Sequence, residues 1–573
     1  MADIYPDPRS FQSAVELLDD AATRYPGRPL LSLRTDDGVK ESWSAAELRR
    51  RSRLAAWRLR AAGLNPGDRL LTWSPSTPQL PAVYFGAMRA GLVLVPLDLR
   101  MASDVLRRIA VRAETHHLAV GTGHDAPDPE ANGLSYLTMH TLDELTADPE
   151  PADALFHEGW EAELDAWPMP ARDQVFETIY TSGTTSHPKG VMITHGNVLA
   201  TLEACEQLLP PRPHRLVSLL PLSHLFEQAP ILIYGTMIGA DIRYVRSRNP
   251  RVIFESLREH RVTTMVVTPQ LLEIFWTAIG REIDKQGKRA SFEKARRIAR
   301  HLPYVARRRI FASLHRQLGG SLNLFVSAGA YLPPELQQGW EDIGIIVLQG
   351  YGATECGAAI ANTEKDHPAG IVGRPIPPAR IKLAEGTSEI LVGGPTVFPG
   401  YWRDPEATAE ALDADGWYHT GDIGHIDANG RWHLSGRIKN IIVLPNGLNV
   451  FPEDIETALQ DHGLSQSVVL ETTPGRIEAV VLPPGTLPMV RSDAPKPEPL
   501  DADGLEKAKA EIERIVRETN RQLGQHQRID GWRLWPEPDF PRTHTLKIRR
   551  DEVRDWVGPV APIPTREQGR VTS

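Results

Sequence analysis

Cysteine is almost missing from this chain, with only Cys205 and Cys356 among 573 residues. Two thiols cannot staple a chain of this length, so a disulfide scaffold is excluded and a reducing, cytoplasmic setting is expected. Long hydrophobic runs are missing too. No stretch approaches the ~18–20 apolar residues that span a bilayer, and the best of them, 230–240, is cut off by Asp241. The opening Met-Ala-Asp-Ile-Tyr-Pro-Asp carries neither the basic region nor the apolar core of a secretion signal. Charge of one sign is not in excess: 64 basic against 73 acidic residues leave −9. That balance argues against a general nucleic-acid binder. No internal repeat is visible.

What is present is an ordinary globular composition, 41 % hydrophobic and 24 % charged, long enough for a large domain and at least one smaller one. Short apolar runs at 69–73, 92–96, 262–267 and 345–348 alternate with helix-length amphipathic stretches. This texture predicts buried strands in α/β layers. It changes after Asp422. A hairpin is expected around Asp427-Ala-Asn-Gly430, then strands near 468–470 and 477–481 and a helix near 505–523. The proline-rich stretch 483–504 predicts an exposed loop. The expected domains are 1–436, α/β, and 437–573, smaller and α+β. Cys205 falls in line with Val198, Leu202 and Leu209 at helical spacing, which predicts a core position.

Residues 281–318 hold twelve Lys/Arg against three Asp/Glu, with Phe311, Leu314 and Leu318 at helical spacing. Such a basic amphipathic segment is a solvated face, a contact for an anionic membrane surface or, last, a nucleic-acid contact. Under the membrane alternative, Arg307, Arg308 and Arg309 are expected to face the lipid.

The most informative stretch is Tyr180-Thr-Ser-Gly-Thr-Thr-Ser-His-Pro-Lys-Gly190. An apolar run leads into glycine and hydroxyls, then a lysine. Gly183 lets backbone N–H groups approach an anion, Thr181, Ser182, Thr184 and Thr185 add hydroxyl donors, and Lys189 adds positive charge. Such a loop suits polyphosphate. It is not a Walker loop, which needs glycine before the lysine and Ser/Thr after it; here Pro188 precedes and Gly190 follows.

This loop resembles the phosphate loop of adenylate-forming enzymes, the superfamily of acyl-CoA synthetases, nonribosomal peptide adenylation domains and luciferases. Further matches follow in order: Gln349-Gly-Tyr-Gly-Ala-Thr-Glu355, Tyr418-His-Thr-Gly-Asp422, Gly436-Arg-Ile-Lys-Asn440 and Phe540-Pro-Arg-Thr-His-Thr-Leu-Lys-Ile-Arg549. The resemblance implies a large N-terminal adenylate-forming domain of layered sheets and helices with a smaller, mobile C-terminal domain. It implies ATP, Mg²⁺ and coenzyme A as the small molecules served. Gln349, Gly350, Tyr351 and Gly352 would hold the purine at a strand end, beside Ser327, Ala328 and Gly329. Thr354 would meet the α-phosphate, and Thr184 and Glu355 the metal. Asp422, with Arg437 nearby, would hold the ribose.

By the same resemblance His224, in Leu222-Ser-His-Leu-Phe-Glu227, would face the carboxyl end of the acid. Lys547 would sit between carboxylate and α-phosphate, and Lys439 would belong to the hinge. The expected catalytic set is Lys547, His224, Thr184 and Glu355. Ser186 stands where the usual loop glycine is, Asn440 where many relatives are acidic, and Leu546 where many have glycine. The Leu222–Glu227 motif, the basic insert and the Thr545-Leu-Lys-Ile548 ending resemble long-chain fatty acyl-CoA synthetases. Alternatives are a fatty acyl-AMP ligase serving a carrier protein, a CoA ligase for an aryl or shorter acid, and an inactive membrane-bound scaffold.

Overall fold

The computed structural model describes residues 5–123, 126–151, 153–181, 188–247, 250–444, 448–464, 466–473, 475–484, 486, 501–543 and 547–558. The chain divides into two compact units. Met1–Ala384, Ile390–Thr420 and Ile426–His433 form the first; Glu385–Glu389, Gly421–His425 and Leu434–Ser573 form the second.

Two large sheets organise the first unit. One has six strands in the spatial order Thr138–Thr141, His117–Val120, Arg69–Trp73, Val93–Leu97, Val175–Thr181 and Lys189–Thr194. Neighbours are parallel except the last pair, which turns back antiparallel. Val93–Leu97 is buried at every position, as a parallel strand covered on both faces must be. The helix Gln79–Arg89 is buried on all sides after its first residue, which marks an interior helix.

The second sheet has nine strands, ordered Arg374–Pro375, Gly357–Ala361, Ile346–Ala353, Leu324–Ser327, Thr264–Val267, Arg215–Ser218, Asp241–Val245, Pro29–Thr35 and Gly38–Ser44. Its centre is parallel and its ends antiparallel. The four predicted strands are all present. The run at 262–267 is a strand only from Thr264, and the run at 345–348 continues to Ala353, because its far half pairs antiparallel with Gly357–Ala361. Gln349 to Gly352 therefore lie inside a strand, not beyond its end.

The basic segment folds as the end of Pro269–Lys285 and the helices Arg289–Ala299, Tyr304–Ile310 and Ala312–Gln317. Phe311 and Leu318 are buried in a core with Phe275 and Trp340. Cys205 is buried on the helix His195–Leu208, in the same core as Val198, Leu202 and Leu209.

The second unit is α+β. Ser467–Thr473 and Arg476–Val481 pair antiparallel, and Gly531–Leu534 adds in parallel. Ile512 and Ile515 of the helix Ala502–Gln522 pack with Ile455 and Leu459 of Pro452–Asp461. That helix begins earlier than the periodicity predicts, because Asp501 accepts from the Gly504 amide as its cap. Most of the loop expected over 483–504 lies outside the described residues.

Candidate functional site

Thr181 ends one strand and Lys189 begins its antiparallel partner, and the two residues are register neighbours. Ser182, Gly183, Thr184 and Thr185 lie outside the described residues. Gly190 follows, where a Cβ would stand 2.8 Å from Thr178 Cγ2 and 3.0 Å from the Tyr180 ring; the close strand approach needs glycine. Lys189 Nζ stands 5.1 Å from the centroid of the Tyr401 ring. The Tyr401 hydroxyl donates to Glu355 Oε1 at 3.0 Å. Burial pushes the Tyr401 phenol well above its ordinary range, and the Glu355 charge adds to that, so the hydroxyl stays a donor.

Backbone bonds fix this arrangement. The Phe398 amide donates to the Glu355 carbonyl at 2.8 Å, and the Trp402 amide to the Gly190 carbonyl at 2.7 Å. Asn197 Nδ2 donates to the carbonyls of Pro395 and Val397 at 2.9 and 2.8 Å. Residues 395–402 thus tie the strand that carries Lys189 to the turn that carries Glu355.

Ser327 pairs in register with Gln349, and both are buried. The Ser327 hydroxyl and the Gln349 amide oxygen have no hydrogen-bond partner among the described residues. Such orphaned polar atoms in an interior ask for a polar ligand or water. Ala328 and Gly329 follow Ser327, and a Cβ on Gly350 would stand 3.8 Å from Ala328 Cβ, so the two segments are adjacent. At Gly352 a Cβ would strike the Gly357 carbonyl at 2.0 Å. Only glycine lets this hairpin close, and its closure sets Thr354 and Glu355 in the turn, with Tyr351 on the strand before it.

His224 precedes the short helix Leu225–Glu227. Its Nε2 lies 2.9 Å from Oδ2 of Asp98. Asp98 is 1 % exposed and also accepts from Arg100 Nε and Nη2 at 2.9 and 2.7 Å. Burial pushes the Asp98 carboxyl up, but Arg100 and His224 outweigh it and hold it far below the ordinary range. An ionised carboxylate only accepts, so His224 Nε2 is the donor in this bond. Close by in sequence, Gln228 Nε2 donates to Glu177 Oε1 and to the Leu222 carbonyl, both at 2.7 Å. Burial pushes Glu177 and Glu227 up to about 8, so both are neutral acids near pH 7.

In the second unit Arg437 Nε donates to Asp422 Oδ1 at 2.6 Å. Lys439 is exposed in the turn Ile438–Asn440. Lys547 is exposed as well; its amide donates to Thr543 Oγ1 at 3.2 Å, and its carbonyl accepts from the Thr543 amide at 2.8 Å.

The fold therefore joins Lys189 to Glu355, Ser327 to Gln349, and Asp422 to Arg437. It also assembles residues that the motifs do not contain: Tyr401, Asp98, Arg100 and Gln228. Asp98 had a usable signal, since it follows the apolar run 92–96 at the carboxyl end of a parallel strand, where α/β sheets place ligands. Tyr401 stands 46 positions from Glu355 and carried none.

Residues 18–402 match the family described as AMP-binding enzyme. The long-chain-fatty-acid–CoA ligase FadD15 of Mycobacterium bovis is 27 % identical over 555 residues, which cover 91 % of each chain. Feruloyl-CoA synthase of Amycolatopsis is 28 % identical over 441 residues, 73 % of this chain and 78 % of its own. In fold the chain is similar to the anthranilate CoA ligase AuaEII solved with anthranoyl-AMP, with a TM-score of 0.72 at 18 % identity over 96 % of this chain and 97 % of that one. The matched residues take in the Lys189 strand, the Glu355 turn and the Tyr401 segment, and the chain belongs to the AMP-binding enzyme family.

Proposed function

We propose that this enzyme is an AMP-forming fatty acid–CoA ligase. A carboxylate oxygen attacks the α-phosphorus of ATP, pyrophosphate leaves, and an acyl-adenylate forms. The CoA thiol then adds at the acyl carbon, gives up its proton, and AMP leaves with the electron pair. The observation that carries this reading is the join of Lys189 to Glu355 through Tyr401, which sets a cation and a carboxylate on one buried ring.

The roles follow from the chemistry of each group. Thr181, Ser182, Gly183, Thr184, Thr185 and Lys189 receive the outer phosphates. Ser327, Ala328 and Gly329 with Gln349, Gly350, Tyr351 and Gly352 take the base, a reading supported by the orphaned hydroxyl of Ser327 and amide oxygen of Gln349. Thr354 reaches the α-phosphate, and Asp422, aligned by Arg437, accepts the ribose hydroxyls. Glu355 with Thr184 fits Mg²⁺, a hard cation that takes one or two protein oxygens and fills its shell with phosphate and water. When bound, Mg²⁺ offsets phosphate charge. His224, oriented by Asp98, faces the acid's carboxyl group. Lys547 relieves the repulsion of carboxylate and α-phosphate. Domains 1–436 and 437–573 alternate about Lys439 between the two steps.

Fatty acids are favoured by the similarity to the FadD15 ligase along 91 % of the chain. The similarity to feruloyl-CoA synthase keeps aryl acids as the second reading. Pyrophosphate exchange over acetate, ferulate and the saturated acids up to palmitate tests them, repeated as AMP release with and without CoA. Each buried methylene contributes ~0.8 kcal/mol, so affinity should climb by orders of magnitude over a few carbons. A flat response from acetate to palmitate, or a preference for ferulate, removes the fatty-acid reading.

Contact with an anionic membrane surface through 281–318 belongs to the same proposal. It is supported by three exposed apolar side chains, Ile298, Val305 and Ile310, at 54, 64 and 45 %, beside exposed Lys294, Arg297 and Arg309. Among the described residues no helix is long and apolar enough to cross a membrane.

A further inference from the structure

Tyr401 lies outside every nucleotide motif, yet its side chain touches two of them. It takes the Lys189 ammonium on its face, 5.1 Å from the centroid, and the Glu355 carboxylate on its hydroxyl, 3.0 Å away. At 7 % exposure the ring is sealed from solvent. Phe398 packs edge-on against it with centroids 4.8 Å apart, and the Tyr401 amide donates to Thr408 Oγ1 at 2.9 Å. On the other side Tyr401 forms a β-bridge with Val191, and the next amide, Trp402, holds the Gly190 carbonyl. Lysine and ring are therefore set on a strand, Lys189–Thr194, and on a segment bridged to it.

We propose that Tyr401 is a positioning residue that couples the Lys189 ammonium to the Glu355 carboxylate, so that a nucleoside triphosphate and its divalent cation are received as one ligand. The inference rests on the nucleotide reading above. A flexible lysine loses rotamer freedom when it binds phosphate, and an aromatic face beneath it removes part of that freedom in advance. A carboxylate that serves a hard cation must be held in one orientation. A charge-assisted hydrogen bond from a buried neutral phenol does that without adding charge.

Calorimetric titration of the full chain with ATP, with and without Mg²⁺, tests the coupling on Tyr401→Phe, Tyr401→Leu, Glu355→Gln and the double variant Tyr401→Phe/Glu355→Gln. Tyr401→Phe keeps the face and loses the donor. Metal-free ATP binding should stay within about twofold, while the gain in ATP affinity on adding Mg²⁺ falls about tenfold. Tyr401→Leu should in addition weaken metal-free binding by about three- to fivefold. Adding Tyr401→Phe to Glu355→Gln should change little, since the partner of the hydroxyl is already neutral. Two results overturn the inference: Tyr401→Phe weakening both titrations alike and adding fully to Glu355→Gln, as a packing role would, or Tyr401→Phe matching wild type. Should the wild-type chain itself not bind ATP, the nucleotide reading fails and takes this inference with it. Tyr401→Phe carries the test even if Tyr401→Leu does not fold.

Discussion

The helices over 281–318 and the C-terminal stretch around Lys547 are both rich in basic residues, but they hold them differently. In the helices four of the nine arginines are tied into the fold. Arg296 and Arg300 reach the fully buried carboxylate of Asp342. Arg307 donates to the carbonyls of Arg300, Leu302 and Glu341, and Arg308 to those of Gly320 and Leu322. Near the C-terminus, Arg542 and Arg550 are committed in the same way, to Asp539 and Glu456. Lys547 has an exposed side chain and makes two bonds to Thr543 through its backbone. A count of charges therefore says little about which charges can meet a ligand. Arg307 and Arg308 cannot act with Arg309 as a lipid-facing triplet, as the run of three suggests, because two of the three tie the fold together.

The sharpest test of this contrast is Lys547→Ala. Losing one electrostatic contact of this kind typically costs ~3–4 kcal/mol, a factor of hundreds in the rate of acyl-adenylate formation from ATP and fatty acid. Supplied with acyl-adenylate and CoA, the variant should still make thioester, because that step brings no carboxylate against a phosphate. Equal losses in the two half-reactions would break the distinction. Next in size is the outer face of the helices. Changing Lys294, Arg297 and Arg309 to glutamine should weaken binding to phosphatidylserine vesicles roughly a hundredfold, at ~1 kcal/mol per basic residue. Unchanged partitioning in a flotation assay would leave that face merely solvated. The smallest effect separates inward from outward arginines. By denaturant titration Arg308→Gln should cost roughly 1–3 kcal/mol of stability, since it strips donors from partly buried carbonyls. Arg309→Gln should stay within ~0.5 kcal/mol. Equal costs would mean that both arginines play the same part.

Much of the architecture was readable along the chain because its causes are local. A strand covered on both faces must be continuously apolar, so 69–73 and 92–96 announced themselves. The helix Ala502–Gln522 showed its period through Ile512 and Ile515. The site was readable in part for the same reason: glycine, hydroxyls and lysine within a few positions of each other are a local pattern. Where Ile346–Ala353 ends was not readable, since its last residues owe their extension to pairing with Gly357–Ala361 and not to their own hydrophobicity.

The order of the motifs, the α/β texture and the side chains able to meet phosphate follow from residue types and their spacing, which act over a few positions. Which of those side chains touch is another matter. Asp98 reaches His224 across 126 positions, and Glu355 reaches Tyr401 across 46. Contacts of that kind exist only once sheets and turns have brought distant segments to hydrogen-bond range, where an angle or an ångström decides whether a bond forms. Chemistry at each position was set by the chain, and the pairing of Lys189 with Glu355 through one buried ring was set by the packing of a strand, a bridged segment and a turn.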